Sequence, residues 1–101
     1  MAVLHPRRVA WEGARIFVVA AKSDAYPWLS ENVGHYLGIM YQLQLSETRL
    51  RLQAETGAAA AETAYEEVGA WRARLDDLLD THPGTASILT QLITETTARL
   101  P

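Results

Sequence analysis

The residue types best suited to chemistry are scattered along this chain. His5, His35 and His82 are its three histidines, and each falls on a different segment with no second metal ligand at helical spacing beside it. Glu62, Glu66, Glu67, Asp76, Asp77 and Asp80 are more concentrated, but all lie on or beside the polar face of one amphipathic stretch. General acid–base work needs a carboxyl moved off its ordinary pKa by burial or a close partner. A solvated face offers neither, and Glu67→Ala is expected to cost little. Glu62 and Glu66 stand four apart and could hold a divalent ion weakly, yet no Glu-x-x-His pair of the di-iron kind accompanies them.

Nucleophiles are no better placed. Cysteine is absent, which removes thiol nucleophiles, thiolate metal sites and disulfides together. The hydroxyls form neither a Gly-x-Ser-x-Gly elbow nor a Ser-x-x-Lys pair, and no glycine-rich loop precedes a helix as phosphate binding requires. A small enzyme would have to use Glu47 or His35. The expectation is no catalytic residue, no metal site and no cofactor, hence not an enzyme.

What remains is a set of aromatics, Trp11, Phe17, Trp28, Tyr36, Tyr41, Tyr65 and Trp71, too many for one thin bundle to bury. Some should line an aromatic ligand pocket or an interface. Trp28, Tyr36 and Trp71 are the pocket candidates. Trp71 is also expected to anchor the core.

Four helices, near 7–21, 30–55, 58–81 and 84–99, are expected to position these groups. The third is the clearest: Ala61, Tyr65, Val68, Trp71, Leu75, Leu78 and Leu79 recur three or four apart, Thr56 stands at its start as a cap, and Pro83-Gly84 ends it. In the first, Pro6 suits an initial helical position, and Arg8, Glu12 and Arg15 leave one narrow polar stripe. Val9, Ile16, Phe17 and Val18 occupy most of the remaining circumference, so this helix should be covered on more than one side. The run Ala14 to Ala21 also reads as a buried strand.

Lys22 to Ser30 reads as a connection, with Pro27 biasing Tyr26 away from the helical region and Ser30 capping the second helix. The stripe of that helix is Val33, Tyr36, Leu37, Met40, Leu43, Glu47, Leu50 and Ala54. Its rival is a hairpin near 39–54, because Leu43 and Leu45 alternate into Leu50 and Leu52. Good helix formers and few β-branched residues favour the helix. Gly34 and Gly38 each cost about 1 kcal/mol against alanine in a helix, and close approach of a neighbouring helix would account for them. In the last segment Ile88, Leu89, Leu92, Ile93, Thr96 and Leu100 keep helical spacing. The fold class expected is therefore all-α, a compact bundle of about four helices, with α+β containing the hairpin as the alternative.

Length and charge bound the rest. With 101 residues the chain makes a single helical domain, 1–101, able to bury roughly 65% of its unfolded surface. A net charge of -3 with Arg7-Arg8 as the longest basic cluster excludes a general nucleic-acid binder. Ile16 to Ala21 is far short of the roughly 20 apolar residues of a membrane span, and a cytoplasmic setting is expected. Lys22 is the sole lysine among many arginines, and alanine is abundant, as in bacteria with high-GC genomes.

Trp71, Arg74-Leu75, Leu78-Leu79 and His82-Pro83, followed by Leu89, Leu92 and Arg99-Leu100-Pro101, resemble a pattern in small helical proteins of unassigned function from high-GC Gram-positive bacteria. The resemblance covers about the last 40 residues and implies a helical protein, with no activity attached.

Besides its main stripe the second helix carries Leu37, Tyr41 and Leu45, so the apolar content exceeds what four short helices can hide. The expected function is a non-enzymatic helical interaction or accessory module that self-associates as a dimer or meets another protein. Gly34, Leu37, Gly38, Tyr41 and Leu45, with Phe17 of the first helix, are the interface candidates, and Gly38→Leu should disturb association more than folding. The alternative is a small-molecule-binding protein built on the aromatic pocket.

Overall fold

The computed structural model describes residues 5–101 and contains, among them, five α-helices and no strand. They are α1 (Pro6–Ala21), α2 (Tyr26–Tyr36), α3 (Ile39–Gln53), α4 (Gly57–Thr81) and α5 (Thr85–Arg99). The all-α expectation holds, and the strand readings of 14–21 and of the hairpin near 39–54 are overturned. In 14–21 most of the apolar run is buried along α1 between several neighbouring helices. In 39–53 good helix formers prevail over the alternation, and one of the two apolar faces stays uncovered.

α1 is the central element and packs against all four others, most extensively α4. Val9, Ala10, Gly13, Ala14, Phe17, Val18, Ala20 and Ala21 are all buried along it, whereas Arg8 and Glu12 pair at the surface at 3.4 Å. Its small residues set the helix spacing. A Cβ at Gly13 would stand 2.9 Å from Leu75 Cδ1 of α4, with Ile93 and Leu89 of α5 just beyond. Close helix approach, expected at Gly34 and Gly38, thus occurs at Gly13, and also at Gly34 against Gln42 of α3, whereas a Cβ at Gly38 would meet nothing.

One expected helix over 30–55 is in fact two. Gly38 has φ 115 and turns the chain between α2 and α3, a conformation that L side chains rarely adopt. Gly34 faces the Gln42 side chain, which occupies the space a Cβ would take, and Gln42 Nε2 reaches Ser30 Oγ at 3.4 Å. The expectation that Gly38→Leu would spare the fold fails for this reason: the strain falls on the α2–α3 turn itself.

The connection from Lys22 to Ser30 is also shorter than expected. α2 begins at Tyr26 with Pro27 in its first turn, a position where a missing N–H costs nothing. Ser23 closes the preceding turn, donating to the Ala20 carbonyl and accepting from Ala25 N–H, both at 3.0 Å. Arg49 of α3 then ties this corner down: its Nη1 donates to the Ala21 carbonyl at 2.8 Å, and its guanidinium lies 4.5 Å from the Tyr26 ring centroid.

α4 is the longest helix, and its 25 residues span about 37 Å at the usual rise, which sets the 41 Å long axis of the molecule. Only its second half is committed to the core. Trp71, Leu75, Leu78 and Leu79 are buried, but Tyr65 is 82% exposed, so the stripe expected from Ala61 onward starts effectively at Glu67. Thr56 precedes α4 without a side-chain capping bond. Phe17 meets the Trp71 ring edge-on, with centroids 5.4 Å apart, joining α1 to α4 at the centre of the core.

Candidate functional site: an apolar outer helix face and a groove

α3 has two apolar faces, and the core takes the one with fewer expected contacts. Leu45, Thr48 and Leu52 are buried, and Tyr41 and Leu37 pack partly against the same core. Ile39, Met40, Leu43 and Leu50, which include the centre of the expected core stripe, are each more than half exposed. Their spacing over a 3.6-residue period places Ile39, Leu43, Leu50 and Ala54 on one line, with Met40 and Glu47 beside it. Tyr36, also exposed, extends the patch across the turn at Gly38. The two faces were exchanged because each has acceptable helical spacing; only Thr48, a polar residue with a buried partner, distinguishes them.

That partner is a network between α3 and α4. Trp71 Nε1 donates to Thr48 Oγ1 at 2.8 Å, and Thr48 Oγ1 donates to Glu67 Oε1 at 2.6 Å. Arg51 Nη1 lies 3.3 Å from the same carboxylate oxygen, while its Nη2 pairs with Glu47 at 3.2 Å. Glu67 is buried. The reading of Glu67 as a dispensable member of a solvated face is corrected by this arrangement: its carboxylate satisfies a hydroxyl that in turn satisfies the buried indole N–H. The network is structural, since all its members are committed to one another and none opens onto a cavity large enough for a substrate. Elsewhere on α3 burial, assisted by the Asp77 carboxylate of α4, raises the pKa of the Tyr41 phenol above its ordinary 10.0.

Among the interface candidates, the structure therefore divides Phe17 and Leu45, both fully buried, from Leu37 and Tyr41, both half-buried, and Gly34 and Gly38 at the α2–α3 turn. Phe17 and Leu45 are core residues and offer no surface. Ile39, Met40, Leu43 and Leu50 are the exposed residues at this end of the molecule, and the sequence signal for them was the spacing first assigned to the core.

The pocket candidates divide in the same way. Trp28 and Tyr36 line one side of a groove of about 270 Å³ between α2 and α5, with Asn32 between them and Ile88, Gln91, Leu92 and Glu95 opposite. Trp71 is buried at the α1–α4 contact and takes no part. Arg99 stands against the Trp28 ring, its guanidinium 3.7 Å from the centroid. A larger depression, about 860 Å³, lies between the start of α1 and the end of α4 and is lined by His5, Arg7, Asp76, Asp77 and Asp80, among others.

Glu47 and His35, the two residues an enzyme reading would need, are both exposed; the His35 ring packs edge-on against Tyr36, and Glu47 is held by Arg51. His82 caps the end of α4 through its backbone N–H to the Leu78 carbonyl, and its ring meets the Thr81 hydroxyl, 3.0 Å from Nδ1. Among the described residues no group of three or more His, Asp or Glu is disposed to hold a metal ion. No helix among the described residues is long and apolar enough to cross a membrane. Comparison with protein-family models, curated proteins and solved structures returns no match.

Proposed function

We propose that this protein is a non-enzymatic helical interaction module, acting in the cytoplasm and self-associating through the outer face of α3. The observation that carries the reading is the exposure of Ile39, Met40, Leu43 and Leu50 along one line of a helix whose other face is already fully engaged with the core. With Tyr36 they make a run of exposed large apolar side chains on one side of the molecule, the kind of surface that marks an interaction site. A second copy of the chain supplies the same apolar surface in return.

Self-pairing also satisfies the chemistry of the rim. In an antiparallel arrangement about a two-fold axis near Ser46, Leu43 of one copy opposes Leu50 of the other, and Ile39 opposes Ala54. Glu47 lies close to that axis, where its charge would be unfavourable alone, but Arg51 at 3.2 Å accompanies it. Light scattering across the micromolar range tests the reading: a mass of twice 11.2 kDa supports it, and a mass of one chain at every concentration overturns it.

A second reading, a small-molecule binder, is favoured by the α2–α5 groove, where Trp28 and Tyr36 stand on one wall. A thermal-shift screen that raises the melting temperature with a compound, at unchanged oligomeric mass, would select it.

A further inference from the structure

The α2–α5 groove has a chemical character beyond its aromatic walls. Trp28, Asn32 and Tyr36 lie four apart on α2 and face Ile88, Gln91, Leu92 and Glu95 of α5 across the opening. Asn32 Nδ2 donates to the Trp28 carbonyl at 2.8 Å, which leaves its second N–H and Oδ1 without a partner among the described residues. The Glu95 carboxylate and the Gln91 amide make no hydrogen bond or ion pair among the described residues, although both line the groove. Two side-chain amides and one carboxylate thus line the same groove as two aromatic rings.

Arg99 does not use this capacity. Its Nη1 donates to the backbone carbonyl of Glu95 at 2.9 Å, not to its carboxylate, and its guanidinium stands 3.7 Å from the Trp28 ring centroid. It shows that the indole face accepts a cation. Tyr36 and Ile88, which also line the groove, are exposed.

The geometry points to the α2–α5 groove as a binding site for a small organic ammonium ion, held by Glu95, Asn32 and Gln91 and flanked by Tyr36 and Trp28. An ammonium brings the positive charge that the unpaired Glu95 carboxylate lacks, and its donors can be met by that carboxylate and by the amide oxygens of Asn32 and Gln91. Its alkyl or aryl part fills the apolar wall of Ile88 and Leu92, and its charge meets the negative face of an aromatic ring. A volume of about 270 Å³ lies just under the usual range for drug-sized ligands, so the ligand is a small amine. The inference rests on the small-molecule reading, and it shares Tyr36 with the patch proposed for self-association.

Three probes of nearly one shape separate charge from bulk: phenethylamine, 2-phenylethanol and phenylacetate, titrated at low salt into the intact protein and followed by amide and indole NMR shifts. Phenethylamine should saturate shifts at Trp28, Asn32, Tyr36, Gln91 and Glu95 and bind at least tenfold more tightly than the other two. Glu95→Gln should abolish that preference while leaving the alcohol's affinity and the circular dichroism spectrum unchanged. Equal binding of the three probes to the unaltered protein, the absence of saturable shifts, or shifts mapping elsewhere would overturn the site whether or not the variant folds. The oligomeric mass, measured on the same samples, reports on self-association separately.

Discussion

Trp71 and Thr48 are hydrogen-bonded across the α3–α4 contact, with the indole Nε1 2.8 Å from the threonine hydroxyl. The bond explains why a threonine sits in the buried face of α3 between Leu45 and Leu52. A fully buried indole N–H needs an acceptor, and a hydroxyl that accepts one bond can donate the next to Glu67 at 2.6 Å. Charge enters the interior only at the end of this chain of bonds, where Arg51 meets it from the half-exposed side.

Thr48→Val keeps the shape of the side chain but leaves both Trp71 Nε1 and the Glu67 carboxylate short of a partner. A loss of about 1 to 3 kcal/mol is expected, the range for a stranded buried polar group. Glu67→Ala should fall in the same range, most of it from the lost hydroxyl bond, because Arg51 is half exposed and its ion pair contributes at most about 1 kcal/mol. Trp71→Ala should cost roughly 3 to 5 kcal/mol as a large buried aromatic. Urea midpoints at constant slope measure all three; a Thr48→Val or Glu67→Ala midpoint equal to that of the unaltered protein would dissolve the network.

Glycine-to-alanine substitution should have different outcomes at two helical sites. Gly69 on α4 has open space where a Cβ would go, so Gly69→Ala should stabilise by about 0.5 to 1 kcal/mol through helix propensity. At Gly13 the new methyl meets Leu75 Cδ1 at 2.9 Å in a side chain that is itself fully buried. Overpacking there costs about 1 to 3 kcal/mol and offsets the propensity gain. Thermal unfolding of the two variants side by side checks the difference, and equal stabilisation would mean that α1 and α4 are not in close approach.

Tyr41 gives the fold a dependence on alkaline pH. Burial, with Asp77 second, raises the phenol's folded pKa above the unfolded value near 10.0, so the native state holds its proton more tightly than the unfolded chain. Stability linked to this group is complete below pH 10.0 and falls as pH rises from there through the folded pKa. Tyr41→Phe should flatten that fall, and an unchanged profile of denaturant midpoint against alkaline pH would place the tyrosine in bulk solvent.

Much of the fold was legible because the second half of α4 and α5 each carry one dominant apolar face, and because Pro6 and the narrow polar stripe of Arg8, Glu12 and Arg15 favoured a helix for α1 over the strand its apolar run also allowed. α3 was not, since Leu43 and Leu50 on one side and Leu45 and Leu52 on the other satisfy helical spacing equally well. Which face is core depends on what α4 presents to it, and that is a tertiary fact. Gly38 was read as a small residue for packing, whereas its positive φ serves a turn; nothing local separates those uses. Glu67 lies among five other acids along α4, and its burial follows only from the position of Thr48 nineteen residues earlier. Of the candidate pocket, Trp28 and Tyr36 share a helix face and were readable together. Trp71 was not separable from them until its own hydrogen bond and its contact with Phe17 were placed.

Self-association through the outer face of α3 is tested most directly by sedimentation equilibrium on the unaltered protein and on the double substitution Leu43→Glu with Leu50→Glu. Both leucines are more than half exposed, so the substitutions leave the core intact, and circular dichroism should be unchanged. The account predicts a dimer for the unaltered protein, with the double variant monomeric up to the highest concentration at which the parent is fully dimeric. A monomeric parent, or a variant that remains a dimer, would contradict it.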